Sequence, residues 1–340
     1  MIHQHNMKLR QSYRMIRYPG ILLVIISVFI LACEPIPKDD ANIAGFQILE
    51  SYRQLHVLKN GRHMATYLYD SVFLKPVLYP VYSASGIMIQ RKYPFSVIEG
   101  ESHDHPHHAG LFFTYGTEGE VNGNNFWANQ QGLSRINHVI VSQKNTGSDQ
   151  AVLGIKANWV GRNGETVLEE ERTMIFSGND DRNIIDFTIR LKAIAEDVVF
   201  RDTKEGMFGL RVADWLSENQ GTGLYLNSSG DTTEAQVWGK RAPWVRLEGS
   251  YEGKPIGIII MNHSSSVNYP TYWHARGYGL FAANPLGQSV FQEGKGSENP
   301  VPLNFKIKSG ETALFKFRMI IYEEHLNADQ INAAFDEYSY

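Results

Sequence analysis

Ile185-Asp186-Phe187-Thr188-Ile189-Arg190-Leu191-Lys192 decides the fold. Every odd position is apolar and every even one polar. A period of two puts one face of a strand on a core and the other in water. Ala313 to Ile321 reads likewise, with Phe315, Phe317 and Met319 alternating with Lys316 and Arg318. Asn60-Gly61 and Asn163-Gly164 are each flanked by strand-like segments, and Asn-Gly predicts a type I′ hairpin turn. Ser309-Gly310 and Gly178-Asn179-Asp180 are further turn signals. Only the tail reads as helix: Asn327 caps, Gln330 follows three residues later, and Leu326, Ile331, Ala334, Phe335 and Tyr338 form an apolar stripe. The expectation is an all-β fold, a large antiparallel β-sandwich with a short C-terminal helix. We expect one domain over residues 43–340, with more strands than an immunoglobulin unit. Two tandem sandwiches, divided near residues 195–205, are the competing arrangement.

The N-terminus reads as an export signal. Lys8, Arg10, Arg14 and Arg17 precede a nearly unbroken apolar stretch from Ile21 to Ala32. That stretch is too short for an ordinary membrane-spanning helix but suits a secretory signal. Ile30-Leu31-Ala32-Cys33 looks like a bacterial lipoprotein processing site, with Cys33 as the lipid-bearing first residue of the mature chain. An uncleaved anchor with an incidental cysteine is the other reading. Residues 1–32 are thus expected to be a signal peptide and 33–42 a tether, leaving an exported domain anchored on a periplasmic or cell-surface face. With one cysteine, no internal disulfide can form. Removing the four basic residues of 1–32 from the chain's 32 leaves 28 against 36 acidic residues, a net charge of −8. That balance argues against nucleic acid and against broad contact with anionic lipid. The partner expected is a small neutral or cationic molecule; oligomeric state is not legible.

Ser102-His103-Asp104-His105-Pro106-His107-His108-Ala109-Gly110 holds four of the twelve histidines. Imidazole titrates near neutral pH and ligates metals, so the run points to proton transfer or metal binding. In an extended chain His103, His105 and His107 would share one face, with neighbours roughly 6.6 Å apart, and His108 would face away. Pro106 favours an edge or a loop. A solvated loop whose histidines only cap backbone is the plain alternative. A metal site would draw on His105, His107 and Asp104, without a second ligand motif elsewhere. Acid–base chemistry would need a carboxylate opposite the imidazoles: Glu99, Glu101 or Glu205. Trp127, Trp238, Trp244 and Trp273 lie in polar, glycine-rich contexts and suit sugar C–H faces, although a large sandwich also needs indoles in its core. The chain shows no phosphate loop, nucleotide fingerprint or serine nucleophile elbow.

Five segments taken in order carry a resemblance. They are Lys75-Pro76-Val77-Leu78-Tyr79-Pro80-Val81-Tyr82; Asp104 to His108 with Gly110-Leu111-Phe112-Phe113; Val121-Asn122-Gly123 with Phe126-Trp127; Lys204 to Arg211; and Tyr272 to Pro285. The chain resembles the bacterial family called PmoA-like, some of whose members are labelled methane oxygenase, over about residues 75–290. The family's histidine motif usually continues with arginine, where Ala109 stands, and it has an aspartate where Asn125 stands. The fold this resemblance implies is similar to the galactose-mutarotase supersandwich.

The function expected is carbohydrate processing by a hydrolase, lyase or epimerase acting on a glycoside or an oxidised sugar. His107 or His108 would be the acid or base, with Glu205 as partner. His105, Lys204, Arg211, His274, Arg276 and Asn284 would contact substrate, and Trp127 and Trp273 would stack on the ring. No cofactor is expected; a divalent metal on His105 and His107 is the minority alternative. The other readings are a non-catalytic glycan-binding lipoprotein and, following the family label, a metal-dependent oxygenase.

Overall fold

The computed structural model describes residues 44–128 and 134–339. The expected signal peptide, tether and Cys33 lie outside the described residues. Five strands come first: β1 (Phe46–Ser51), β2 (Gln54–Lys59), β3 (Arg62–Leu68), β4 (Val77–Val81) and β5 (Leu111–Tyr115). Long strands β6 (Arg135–Thr146), β7 (Gln150–Val160), β8 (Thr166–Gly178) and β9 (Arg182–Ala193) follow, then β10 (Val198–Phe200) and β11 (Gly206–Arg211). Next come β12 (Leu224–Asn227), α1 (Thr233–Val237), β13 (Trp244–Tyr251) and β14 (Lys254–Asn262). The chain ends with β15 (Tyr272–Ala275), β16 (Leu280–Asn284), α2 (Gln288–Gly294), β17 (Phe305–Ile307), β18 (Thr312–Tyr322) and α3 (Ala328–Ser339).

These strands form two eight-stranded antiparallel sheets and a β10–β17 ribbon. The first sheet runs β1-β2-β3-β4-β5-β11-β16-β15 and the second β12-β13-β14-β18-β9-β8-β7-β6. Strands from both sides of residues 195–205 share each sheet, so tandem sandwiches do not describe the chain. The alternation in β9 works as predicted: Ile185, Phe187, Ile189 and Leu191 are buried. Phe187 meets Phe208 of β11 at 4.8 Å, and Phe317 of β18 stacks on Phe208 at 4.5 Å. The core therefore lies between the sheets, where each large apolar side chain contributes about 1.5–3 kcal/mol.

Asn60 and Gly61 both take positive φ (49° and 72°) between paired Lys59 and Arg62, as a type I′ turn requires. Asn163-Gly164 differs from the expectation. Only Gly164 has positive φ, and the loop is longer, closed by a bond from Gly161 N–H to the Glu165 carbonyl (2.8 Å). The extra residues absorb the strand twist that an I′ turn would otherwise supply. At the tail, Asn327 and Gln330 exchange reciprocal side-chain bonds of 3.0 Å, and Ile331 and Phe335 of α3 bury against Ile320 and Tyr322.

The other face of the first sheet positions the site. On that face β5 carries Phe112 and Thr114, β11 carries Arg211, β16 carries Leu280, Ala282 and Asn284, and β15 carries His274, while their strand neighbours Phe113, Leu210, Phe281 and Trp273 face the core. Strand alternation thus gives each of these strands a packing face and a chemical face.

Candidate functional site

The histidine run is folded into a turn by one buried arginine. Arg91 donates to the Ser102 carbonyl (3.2 Å), to Asp104 Oδ1 (2.5 Å) and to the carbonyls of Asp104 (2.8 Å) and His105 (3.2 Å). His108 N–H closes the turn on the His105 carbonyl at 3.0 Å, and His105 sits at φ 43°, in the left-handed region. The turn overrides the extended, two-sided arrangement expected from the sequence. Rings of His105 and His108 stack at 4.8 Å, His107 meets His108 at 4.4 Å and His105 at 5.6 Å. His103 departs from the group: it packs on Tyr93 at 5.3 Å.

Aromatic residues floor the cluster. Trp127 meets His108 at 5.5 Å and Phe112 at 5.0 Å. Beneath them the fully buried Lys75 ammonium donates to the His107 carbonyl (2.9 Å) and the Trp127 carbonyl (2.6 Å) and lies over the Phe112 ring. Burial alone lowers Lys75 to about 7.

Tyr278, from the turn between β15 and β16, forms the facing wall. It stacks on His105 at 5.1 Å and lies under the guanidinium groups of Arg211 (4.6 Å) and Arg276 (5.4 Å). Its hydroxyl is pushed up to about 12, by burial first and against the pull of Arg276 and Arg211, with Glu205 and Asp104 adding to the rise. Two carboxylates therefore act on this phenol. Glu205 is paired with Lys204 at 2.5 Å, and Arg276 is held by Glu234 at 2.6 Å.

Burial, helped by neighbouring charge, lowers three of the histidines. Burial, then Lys75 and His105, lower His107 to about 3; burial, then His107 and His105, hold His108 well below its ordinary range. His274 is lowered to about 3 by burial, then Arg276 and Lys204, against a small opposing effect of the Lys204 backbone. Asp104 is lowered: burial works upward, but Arg211 and the bonds from His105 and Arg91 outweigh it. Both its oxygens are engaged, Oδ1 by Arg91 and Arg211 and Oδ2 by His105 Nδ1 at 2.8 Å. Among the described residues no three His, Cys, Asp or Glu side chains converge as metal ligands. Asp104, the third ligand expected beside His105 and His107, is engaged by Arg91, Arg211 and His105.

The structure brings His105, His107, His108, Trp127 and Arg211 together and joins them through Tyr278 to Arg276, while Glu205 acts on Tyr278, and Arg276 and Lys204 on His274, through their charge. Two expected substrate contacts need correction. Trp273 is fully buried in the intersheet core, its indole N–H bonded to the Ala242 carbonyl at 2.9 Å, because its position on β15 has core parity. Asn284 is also fully buried, donating to the Thr203 and Lys204 carbonyls (2.9 and 3.0 Å) and accepting from Leu286 N–H, so it shapes the loop bearing Glu205. Nothing in the sequence pointed to Arg91, whose partners in the histidine run lie 11 to 14 residues away. Lys75 and Tyr278 stood inside the family-like segments without a role assigned to them.

A family model described as a family of unknown function, DUF6807, matches residues 54–336. The chain belongs to that family. A search of curated proteins found no match. Among solved structures, similar ones include the galactosidase domain of an alpha-galactosidase-sucrose kinase, AgaSK (11% identity, TM-score 0.41, 83% of this chain and 42% of that one). A putative aldose 1-epimerase from Escherichia coli K12 covers 83% of this chain and 99% of its own, at 13% identity and TM-score 0.29. A galactose 1-epimerase from Lactobacillus acidophilus NCFM covers 83% and 100%, at 9% identity and TM-score 0.37. The chain spans less than half the length of the first of these. Likenesses at this level concern the fold alone.

Proposed function

We propose that this DUF6807 domain is a carbohydrate-processing enzyme that moves a proton on a sugar, of the epimerase or lyase type. One observation carries the reading. The buried polar atoms of His108 (both ring nitrogens), Arg211 (Nε and Nη1) and Trp127 (Nε1) have no hydrogen-bond partner among the described residues. Buried polar groups are nearly always satisfied, so such a gathering calls for a ligand rich in hydroxyls. Neutral imidazoles offer one donor and one acceptor each, matching hydroxyl groups.

In this reading Glu205 is the base and His107 a neutral hydrogen-bond donor that polarises a sugar oxygen; neutral imidazole can serve as such an electrophile. His108 and His274 would orient hydroxyls, Arg211 and Arg276 would hold hydroxyl or carboxylate oxygens, and Trp127 would support the ring site from below. Hydrolysis by paired carboxylates is less well served, because Asp104 is locked by two arginines and kept ionised. The resemblance to the PmoA-like family belongs to this reading as a likeness in sequence. So do export and a lipid anchor on Cys33, which would present the domain to external sugars.

The test is incubation of the protein in D2O with free aldoses, uronic acids and simple glycosides, followed by NMR. The expected outcome is solvent-deuterium exchange, anomer exchange or elimination product, slowed 10²-fold or more in Glu205→Gln, in line with a lost acid–base group. Binding without any of these changes would favour a glycan-binding protein instead. No binding at all would end the sugar reading.

A further inference from the structure

Arg276 stands between the histidine cluster and a cavity. On one side its guanidinium covers Tyr278 in the histidine site. On the other it lines a separate cavity of about 570 Å³, together with Glu218, Glu234, Trp238 and Lys295. That volume is typical of a small-molecule site, roughly 300–1,000 Å³.

Trp238, just after α1, is the main wall. Phe291 braces it edge-on at 5.4 Å, His274 at 6.4 Å, and the Lys295 ammonium lies 6.0 Å from its ring centre. At Gly294 a Cβ would stand 2.4 Å from the indole, so only glycine lets α2 end against the ring. The indole N–H is buried without an acceptor among the described residues. The charged groups, by contrast, are spent inward. Glu218 accepts from the N–H groups of Tyr225 (3.2 Å) and Glu234 (2.8 Å). Glu234 holds Arg276 (2.6 Å) and Gly277 N–H (2.5 Å), and Lys295 donates to the Ala235 carbonyl at 2.9 Å. What the cavity offers a ligand is the partly exposed indole surface of Trp238. That surface suits the C–H face of an uncharged pyranose.

We infer that this cavity is a second sugar subsite, so that the substrate is a glycoside of at least two units, one ring at the histidine site and an uncharged neighbour against Trp238. The inference rests on the sugar reading of the histidine site and extends it to substrate length. Arg276 is the shared wall, and Glu234 fixes it at the junction where a glycosidic linkage would cross.

Calorimetric titration of the full chain with monosaccharides and with disaccharides containing them is the test. The wild-type protein should bind a matching disaccharide about tenfold or more tightly than its component, the equivalent of losing one well-stacked ring. Trp238→Ala should erase that advantage and leave monosaccharide affinity unchanged. Should Trp238→Ala fold poorly, Ala235→Trp provides a second route, since Ala235 is exposed and lines the cavity, and a bulky side chain there fills it. Equal affinity for mono- and disaccharides, or equal loss of both in the variants, would overturn the subsite while leaving the histidine site standing. Absence of binding to every sugar would overturn the underlying reading and this inference with it.

Discussion

The space between the sheets and the other face of the first sheet bury polar groups in opposite ways. Between the sheets, Glu170 and Arg172 of β8 are almost wholly buried and satisfy each other: Arg172 Nε and Nη2 reach Glu170 Oε1 at 2.7 and 2.6 Å, and Trp159 N–H donates to Oε2 at 2.8 Å. On the first sheet's other face, His108 and Arg211 are as deeply buried but keep ring and guanidinium nitrogens without partners among the described residues. The same scaffold thus contains a closed polar network and an open one. Closed networks hold a structure, whereas open ones cost stability unless something binds them.

The largest expected effect would break the closed network. Glu170→Ala leaves Arg172 as an uncompensated buried charge and should cost about 3–5 kcal/mol, read by denaturant unfolding. A loss below about 1 kcal/mol would mean that the pair is solvated and the contrast between the faces is false.

His108→Phe probes the open network. The ring is kept in shape and the two unpaired nitrogens are removed, so stability should hold or rise by up to about 1–3 kcal/mol. Sugar binding and turnover should fall sharply in the same protein. A matched loss of both stability and binding would assign His108 a structural role.

A smaller effect separates the faces by pH. His107 and His274, both lowered to about 3, stay neutral in the folded state while the unfolded chain takes up protons below about 6.5. The unfolded state then binds more protons, so stability should drop as pH falls from 6.5 towards 3, by up to about 1.4 kcal/mol per group per pH unit. Lys75, lowered to about 7, works in the same direction on the alkaline side: between pH 7 and 10.5 the unfolded chain holds the extra proton, and stability should rise with pH. His274→Phe should flatten the acid slope and Lys75→Met the alkaline one, measured as melting temperature against pH. Unchanged slopes would show that these groups titrate normally in the folded protein.

Much of the architecture was legible because strand alternation, the Asn60-Gly61 turn and the Asn327/Gln330 cap are local. Each depends on a few neighbouring side chains and backbone angles. The histidine run was legible as a concentration of imidazoles, and Glu205, Arg211, His274 and Arg276 as chemistry-bearing residues. Their grouping was not, and neither was the dismissal of Trp273 and Asn284. Trp273 carries no mark in the sequence of which sheet face it will take.

The sequence by itself determined that this chain makes strands, where several of them turn, and that imidazole is concentrated at one place. Tertiary structure alone decided that Arg91 folds that place into a turn, that Lys75 lies under it and that Tyr278 joins it to Arg276. The reason is that periodicity is encoded over a few residues, whereas burial, which strips a side chain of water and shifts its protons, depends on atoms that only folding brings near.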